Sequence, residues 1–554
     1  MITCSGQPVC SGIAFGKLYL YMRSESRIKR YHIENSDEEI ARFEKAREKA
    51  IEQLGVLYEK ALSEVGEANA MIFQIHQMML EDQDYIESIK NTVADQMINA
   101  EIAVGQTCDN FVQMFQAMDD PYMRERSADV KDVSERVLAI LSNVSTSGIQ
   151  SDEPVIIVAD DLAPSETVQF DKTKILAFAT QHGSSNSHTS ILARMMNIPA
   201  IIGIENVLNP DYNGKEAIVD GFTGTLYIDP DEATKAAMDA KYQEQVKRRQ
   251  LLESLKGQKS ITKDGQKIDL YANIGNPSDI GAVLSNDAQG IGLFRSEFLY
   301  LENTDYPSED EQFNAYKKVL QQVGGKRVII RTLDIGADKQ ADYFNLPPEE
   351  NPAMGMRAIR ICLTQPAIFK TQLRALLRAS AFGKLAIMFP MITSVWEVQK
   401  SKQLVEEAKA ELDAEGIAYS KSIEIGVMIE TPAAAIISDL LAKEVDFFSI
   451  GTNDLTQYTL AVDRQNPSIP DFCDIHHKAI LRLIHLITQN AHKNDTWVGI
   501  CGELGADLDL TETFLAIGVD ELSVTPSAIL QLREKVIHTN VSEIREKILN
   551  DILN

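Results

Sequence analysis

The sequence predicts a multidomain α/β protein, in which a small α/β domain with an inserted all-α helical domain precedes a C-terminal (β/α)8 barrel. Three observations support this prediction. The chain has 554 residues, of which 44% are hydrophobic, and this is enough for several buried cores. A long stretch with helical periodicity interrupts a region of short strands. In the C-terminal half, short apolar segments alternate with helical segments eight times.

Residues 1–30 and 144–230 are predicted to form the small α/β domain. The first segment is rich in strand-forming residues. In the second segment, short strands alternate with turns and with one helix. The predicted strands are Ile13–Tyr21, Val155–Val158, Ile175–Phe178, Ala217–Asp220 and Thr225–Ile228.

Residues 33–143 carry a helical pattern with little strand signal, and they are predicted to be an inserted all-α domain. Ser36 and Glu39 have the spacing of a capping box, which marks the start of the first helix. The apolar stripe of that helix is Ile40, Phe43, Ala50, Leu54, Leu57 and Ala61. A helical bundle can also exist only to pack, and composition leaves that interpretation open.

Residues 231–258 are charged and helical in pattern, which predicts a helical linker, and residues 259–554 are predicted to form a (β/α)8 barrel. The predicted barrel strands are Ile268–Asn273, Gly290–Phe294, Arg327–Arg331, Leu385–Phe389, Ile423–Ile429, Phe447–Gly451, Trp497–Cys501 and Glu521–Val524. An open, doubly wound sheet is the alternative that spacing alone does not exclude.

Charge and cysteine usage narrow the class of protein. The chain has 81 acidic and 54 basic side chains, and this net charge of −27 disfavours binding to nucleic acid or to an anionic membrane. The six cysteines lack paired metal-binding or redox spacing, so reduced thiols are expected. The sequence shows neither a signal-peptide pattern nor an apolar run of membrane-spanning length. These features predict a soluble cytoplasmic protein.

Polar residues gather where the barrel strands end, and in a (β/α)8 barrel the C-terminal ends of all strands meet at one mouth. The residues at or just beyond these ends are Asn273, Arg295, Arg331, Glu430, Asn453, Asp454, Cys501 and Ser523. Arginine side chains match phosphate and carboxylate oxygens, and Arg357 and Arg464 lie in nearby loops. The pattern therefore favours an anionic ligand, although either strand-end arginine alone could equally pair with surface acids.

Two carboxylates and one thiol are also predicted to lie at this mouth. Glu430 and Asp454 follow neighbouring strands and could hold one Mg²⁺, with water and substrate oxygens as the remaining ligands. In the alternative interpretation, both carboxylates only balance the arginines. Cysteine is more often a small core residue, but the position of Cys501 at a strand end favours a role at the mouth.

One histidine stands at the start of a predicted helix. His188 follows the small polar loop Gly183–Ser187. The helix that begins there has the apolar residues Ile191, Leu192 and Met195. Free backbone N–H groups at such a helix start favour an anion beside the imidazole. Taken alone, the pattern also fits a capping or packed histidine.

The histidine segment, residues 183–203, closely resembles the phosphohistidine loop of phosphoenolpyruvate-utilising enzymes, a family that contains Enzyme I of the sugar phosphotransferase system and the pyruvate dikinases. Further motifs, in the same order along the chain, resemble Enzyme I. They are residues 72–82, 124–132, 292–299, 331–339, 350–357, 426–434, 449–464 and 501–503. The resemblance implies phosphoryl transfer from phosphoenolpyruvate (PEP) to a histidine, and from there to the phosphocarrier protein HPr, which drives sugar uptake.

The same resemblance implies roles for individual residues. His188 is expected to be phosphorylated, and Cys501 to protonate the enolate carbon left by PEP. Glu430 and Asp454 are expected to bind Mg²⁺. The residues expected to bind PEP are Arg295, Arg331, Arg357, Asn453, Asp454 and Arg464. The helical domain is expected to dock HPr, and the barrel to form a homodimer.

Two alternatives stay open at this point. A PEP synthase or pyruvate phosphate dikinase shares the histidine loop and the barrel but needs an ATP-binding domain, and residues 33–143 are too short and lack a glycine-rich phosphate loop. A non-catalytic regulatory phosphoprotein is suggested by Ser184–Asn186, because the family usually has Gly-x-Thr there. Ala337 and Met356 also stand where the family usually has glycine and tryptophan.

Overall fold

The computed structural model describes residues 1–21, 29–65, 67–117, 121–143, 151, 153–183, 187–196, 198–301, 303–336, 341–466 and 468–554. Contacts divide the chain into an N-terminal unit, residues 1–248, and a C-terminal unit, residues 249–554. None of the helices within these described ranges is long and apolar enough to cross a membrane.

An eight-stranded mixed sheet organises the N-terminal unit. Its strands are β1 (Ile2–Ser5), β2 (Gln7–Cys10), β3 (Ile13–Tyr21), β4 (Val155–Ala159), β5 (Ile175–Thr180), β6 (Ala200–Ile202), β7 (Glu216–Asp220) and β8 (Thr225–Ile228). The order is β1-β8-β7-β3-β4-β5-β6-β2, and β3, β4, β5 and β6 run parallel. Apolar side chains are buried on both faces, as Ile156 and Ile157 illustrate. The five predicted strands are confirmed, whereas β1, β2 and β6 were not predicted as strands.

A helical insertion follows β3. Its helices are α1 (Ser36–Val65), α2 (Glu67–Glu81), α3 (Gln83–Gln96), α4 (Ala100–Gln116) and α5 (Pro121–Leu141). Phe43, Phe73 and Ile89 are fully buried in its core. The predicted apolar stripe of α1 is confirmed, since its residues are buried except for the half-buried Ile40.

The predicted capping box at the start of α1 is wrong by one residue. The Oδ1 of Asn35, rather than Ser36, accepts the N–H of Asp37 at 3.0 Å. Glu39 is occupied elsewhere, because it pairs with Arg42 at 2.7 Å and accepts the N–H of Ala100 at 2.6 Å. Tertiary contacts between α1 and α4 therefore take the carboxylate that the sequence pattern assigned to the cap.

Three further helices belong to this part of the chain: α6 (Pro164–Thr167), α7 (His188–Met196) and α8 (Glu232–Glu253). The Oγ of Ser165 donates to the Oδ1 of Asp132 at 2.5 Å, so α6 is tied to α5 of the insertion. Helix α7 begins at the predicted histidine, and α8 covers most of the predicted helical linker.

The C-terminal unit is a closed barrel of parallel strands. They are β9 (Asp269–Ile274), β10 (Ile291–Arg295), β11 (Val328–Arg331), β12 (Leu385–Phe389), β13 (Glu424–Ile429), β14 (Phe447–Ile450), β15 (Trp497–Ile500) and β16 (Glu521–Val524). Since β16 pairs with β9, the predicted barrel is confirmed and the open sheet is excluded.

Helices connect the barrel strands and pack around them. They are α9 (Ile280–Ser285), α10 (Phe298–Leu301), α11 (Glu309–Gln322), α12 (Ile359–Thr364), α13 (Pro366–Ala379), α14 (Val395–Glu415), α15 (Pro432–Ile436), α16 (Ser438–Leu441), α17 (Thr452–Leu460), α18 (Lys478–His492), α19 (Thr511–Ile517), α20 (Ile529–His538) and α21 (Val541–Leu553).

The barrel interior is packed with inward-pointing side chains. Its buried apolar residues are Leu293, Ile329, Ala386, Met388, Met428, Phe447 and Cys501. A Cβ at Gly426 would collide with the ring of Phe447, so glycine at this position makes room for a large neighbour. Because the interior is filled, ligand chemistry is confined to the ends of the strands.

Candidate active site

The histidine loop connects β5 to α7 in the N-terminal unit, and α7 begins at His188. The Oγ of Ser187 accepts the N–H of Ser190 at 3.4 Å, which caps the helix. Gly183 has a φ of 125°, a backbone conformation that favours glycine. The departure from the family pattern at Ser184–Asn186 lies outside the described residues. The histidine is therefore the first residue of a capped helix.

Two buried arginines at the barrel mouth are held by two buried acids. Arg331 ends β11, and its Nη2 and Nε donate to Glu297 Oε1 at 2.7 and 3.1 Å. Asp334 bridges two guanidinium groups, because its oxygens lie 3.0 Å from Arg331 Nη1 and 3.0 Å from Arg357 Nη2. Burial alone would lower the pKa of each guanidinium, but the neighbouring acids, Asp334 first, raise both pKa values above the ordinary one. Both arginines are fixed as cations.

Asp334→Ala is expected to destabilise the C-terminal unit by about 3–5 kcal/mol, because it leaves buried guanidinium charge without its shared carboxylate. The measurement is the shift of the barrel's unfolding transition in scanning calorimetry. Asp310→Ala is the matched control, since Asp310 pairs with Arg378 at 2.8 Å but its side chain is 76% exposed. A change below about 1 kcal/mol is expected for the control. Equal shifts in both variants would contradict the importance of the buried network.

Glu430 and Asp454 are neighbouring carboxylates at the same mouth. Glu430 follows β13 and is 1% exposed, and its Oε1 accepts the N–H of Met391 at 2.6 Å. Burial first, and then the charges of Asp454 and Asp334, raise the pKa of Glu430 to about 8. Two carboxylates in this setting favour either a shared proton or a bound cation.

A cavity of about 560 Å³ opens beside Asp454. Arg357, Asp454 and Arg464 contribute to its polar lining, and Pro352 and Met354 contribute to its apolar lining. The Oδ1 of Asp454 lies 4.0 Å from a guanidinium nitrogen of Arg357 and 4.0 Å from one of Arg464. This combination of a small cavity with two cations suits a small anionic molecule.

Cys501 follows β15 and is 3% exposed. Its Sγ lies 3.7 Å from the carbonyl oxygen of Ile450. Burial is the main cause that raises the pKa of the thiol to about 12. The neighbouring hydroxyl of Ser449 opposes this rise, Glu521 and Glu430 add to it, and Arg331 opposes it. The thiol therefore keeps its proton at neutral pH and can act as an acid toward a carbanion-like centre.

Asn273 supports the position of Cys501 from the neighbouring strand ends. Its Nδ2 donates to the carbonyl oxygens of Cys501 and Ser523, both at 3.0 Å. Its Oδ1 accepts the hydroxyl of Ser523 at 2.6 Å. These bonds use both ends of the Asn273 amide, so this strand-end residue fixes the backbone of the mouth.

Arg295 and Asn453 differ in whether their side chains have hydrogen-bond partners. Arg295 is exposed, and its guanidinium has no partner within the described ranges. The Nδ2 of Asn453 donates to Glu503 Oε1 at 3.0 Å, and its Oδ1 accepts the N–H of Glu503 at 3.1 Å. Contact between Asn453 and a ligand therefore requires at least one of these bonds to be exchanged.

Known proteins are similar to this chain over nearly its full length. Models of PEP-utilising enzymes match residues 249–541 (PEP-binding domain), 5–126 (N-terminal) and 151–224 (mobile domain). The chain is 43% identical over 551 residues to the phosphoenolpyruvate-protein phosphotransferase of Priestia megaterium, covering 99% of this chain and 96% of the relative. It is 42% identical to the protein of that name from Bacillus subtilis over 544 residues, covering 98% and 95%.

This chain belongs to the phosphoenolpyruvate-protein phosphotransferase (Enzyme I) family. A solution structure of an Enzyme I protein is also similar to this chain, with 35% identity, a TM-score of 0.38, and coverage of 44% of this chain and 98% of that one.

In this Enzyme I chain, the mouth residues foreseen from the sequence are largely brought together. Arg331, Arg357, Glu430, Asp454 and Cys501 are linked through ion pairs or through their mutual effects on pKa. The lining of the cavity includes Arg357, Asp454 and Arg464 but not Arg331 or Cys501. His188 lies in the N-terminal unit.

Sequence reasoning missed the two acids that hold the Enzyme I arginines. Glu297 lies two residues after Arg295, and Asp334 lies three residues after Arg331, so both follow barrel strands. The sequence signal that could have identified them is an acidic residue two or three positions after an arginine at the end of a strand. The bridging of Arg331 and Arg357 by Asp334 could not be foreseen, because it depends on the path of the following loop.

Proposed function

We propose that this protein transfers the phosphoryl group of PEP to His188 and then to a histidine of HPr, releasing pyruvate and driving sugar uptake by the phosphotransferase system. Relatives of nearly equal length carry the name phosphoenolpyruvate-protein phosphotransferase. The observation that carries the proposal is the barrel mouth, with its fixed guanidinium groups, coupled carboxylates and protonated thiol. These groups match the phosphate, a metal ion and the enolate carbon, respectively.

In this proposal the arginines of the mouth bind and orient PEP. Arg331 and Arg357 are preorganised by Glu297 and Asp334, so little reorganisation is needed when an anion arrives. Arg295 and Arg464 are more exposed and can close on the phosphate or carboxylate from the cavity side. Asn453 and Asp454 complete the PEP-binding set.

The residues present fit Mg²⁺. Carboxylate oxygens are the ligands that this ion prefers, and Glu430 and Asp454 are close enough for their charges to be coupled. Within the described ranges no three His, Cys, Asp or Glu side chains cluster as a metal cage, so water and PEP oxygens would supply the other ligands. When bound, the ion would neutralise charge on the transferring phosphoryl group.

Mg²⁺ binding is expected to weaken as the pH falls below about 8, because the ion and a proton then compete for Glu430. The loss is at most about tenfold per pH unit for one competing proton. Calorimetric titration with Mg²⁺ between about pH 6 and about pH 9 measures it. Glu430→Gln should bind weakly without this slope, and a flat profile in the wild type would contradict the coupling.

Cys501 supplies the proton that makes PEP an effective phosphoryl donor. The enolate left after transfer becomes ketonic pyruvate once its methylene carbon is protonated. Because burial keeps the thiol protonated, Cys501 can give its proton to that carbon. A neutral imidazole at His188 supplies the lone pair that accepts the phosphoryl group.

His188 must serve two partners, PEP and HPr. We assign residues 1–30 and 144–230 to the histidine-carrying domain, 33–143 to HPr docking, 231–258 to the linker and 259–554 to PEP binding. Exposed methionines on α2, Met71 and Met78, offer an adaptable apolar surface for a partner protein.

We infer the assembly and the cellular compartment as part of the same proposal. The barrel unit exposes large apolar side chains, including Ile436 and Phe472 at 64% and 72%, which supports a homodimer formed through this unit. All six cysteines are free thiols, which fits the reducing cytoplasm.

The test of the proposed function is the mass of the intact protein after mixing with PEP and Mg²⁺ in the absence of ATP. A gain of one phosphoryl group that is lost in acid supports it, because phosphohistidine is acid-labile. A gain only when ATP is present would instead indicate a dikinase. No gain under either condition would indicate a regulatory protein without turnover.

A further inference from the structure

Glu521 is a buried carboxyl inside the barrel that the mechanism has not yet used. It begins β16 and is 2% exposed. Neither carboxyl oxygen has a hydrogen-bond partner in the described part of the chain. A Cβ at Gly292 would overlap its Oε1, and a Cβ at Gly499 would overlap its Oε2. Two glycines on other strands therefore create the space that admits this carboxyl.

The position of Gly499 connects Glu521 to Cys501. Gly499 precedes Cys501 by two residues, so both face the barrel interior. Ser449 is the register partner of Gly499 on β14 and is 1% exposed. Its hydroxyl lies beside the Cys501 thiol and lowers the pKa of that thiol. A hydroxyl that interacts with the thiol thus stands beside the strand position that faces the Glu521 carboxyl.

Ser523 gives a second link between Glu521 and Cys501. A Cβ at Gly292 would also overlap the Oγ of Ser523, so Ser523 and Glu521 are neighbours. Ser523 donates to Asn273, and Asn273 donates to the carbonyl oxygen of Cys501. These hydrogen bonds therefore hold the strand that carries Glu521 close to the backbone of Cys501.

The charges around Glu521 favour its protonated form. The titratable or charged groups facing it are Asp269 and Tyr271 of β9, Arg327 before β11, the adjacent Asp520, and Cys501. Burial first, and then Asp269, raise the pKa of Glu521 well above its ordinary value, against the opposing effects of Arg327 and of the neighbouring Ser523 hydroxyl. This environment therefore favours the carboxylic acid over the carboxylate.

The geometry points to Glu521 as the residue that returns a proton to Cys501 through the hydroxyl of Ser449 after each protonation of the enolate. This inference rests on the proposed function. The enolate carbon takes the Sγ proton and forms a C–H bond. The thiolate then takes the Ser449 hydroxyl proton, while Ser449 Oγ takes the proton of Glu521. The Glu521 carboxylate regains a proton from water at the N-terminal end of the barrel, where Asp269 and Trp497 are partly exposed.

Two rates separate this relay from a structural role. In the exchange of labelled pyruvate into PEP, Cys501 first gives its proton to the enolate, and the thiolate then takes a methyl proton from labelled pyruvate. The exchange therefore needs no proton from Glu521. Net pyruvate formation with purified HPr as acceptor consumes one proton per turnover. Glu521→Gln is expected to lower the net rate about tenfold or more while the exchange rate stays within about twofold. Ser449→Ala, which keeps the carboxyl, should show the same split.

The controls make each outcome decisive. Glu521→Asp keeps a carboxyl and should restore part of the net rate. Ser401→Ala removes a buried hydroxyl on α14, far along the chain from this group, and should leave both rates unchanged. Equal falls of both rates in Glu521→Gln and Ser449→Ala, or no change in either variant, would overturn the relay. If the wild type shows neither exchange nor net turnover, the proposed function itself fails.

Discussion

His188→Ala is expected to abolish PEP-dependent phosphorylation of this protein. Alanine has no lone pair to accept the phosphoryl group, while the mouth of the barrel, which lies in the other unit, keeps all its residues. The measurement is intact-protein mass after incubation with PEP and Mg²⁺, followed by acid. We expect no gain in the variant and a gain of one acid-labile phosphoryl group in the wild type.

His182→Ala is the matched control for the histidine. His182 lies in the same loop, and its Nδ1 is 2.7 Å from Asp160 Oδ1, with the imidazole 67% exposed. Any adventitious labelling of this exposed imidazole should be lost in His182→Ala, whereas PEP-dependent labelling of His188 should remain. Labelling that persists in His188→Ala and disappears in His182→Ala would move the acceptor to the other residue.

Cys501→Ala is expected to slow pyruvate formation by about 10²–10⁴-fold, the usual effect of removing a general acid. The affinity for PEP should change by less than about twofold, because the arginines that bind the anion are held by Glu297 and Asp334 rather than by the thiol. Rapid-quench measurement of pyruvate gives the rate, and calorimetric titration with PEP gives the affinity.

Cys362→Ala controls for the loss of a buried thiol. Cys362 lies in α12, is fully buried and belongs to the core around the barrel rather than to its interior. This variant should be somewhat less stable but should form pyruvate at the wild-type rate. If Cys501→Ala lost PEP affinity and rate in equal proportion, Cys501 would have a binding role and another group would supply the proton.

The barrel was predictable from the sequence because each of its strands is a short apolar run followed by a polar residue and a helix. In a parallel barrel that order alone brings the strand ends to one mouth. Arg331, Glu430 and Cys501 were therefore identified before any contact was known. The helix start at His188 was predictable for a similar reason, because small polar residues precede an apolar helical stripe.

Side-chain pairing accounts for what could not be predicted. Asn453 was expected to be available to PEP, but its amide is bonded to Glu503, fifty residues away in the chain. Glu39 was expected to cap its own helix, but it pairs with the start of α4. The interior position of Glu521 depends on glycines in two other strands, and no local pattern around residue 521 reports them.

The edge strands of the N-terminal sheet have a consequence for how this unit resists aggregation. β1 and β2 lie at opposite edges of that sheet, yet only Gly6 separates them in the chain. The sheet must curl until its two edges nearly meet, and Gly6 donates its N–H to Gly224 at that seam. The first ten residues thus supply both edge strands of the sheet. Trimming them would bare the hydrogen-bonding groups of β6 and β8 together and offer two open templates to other chains.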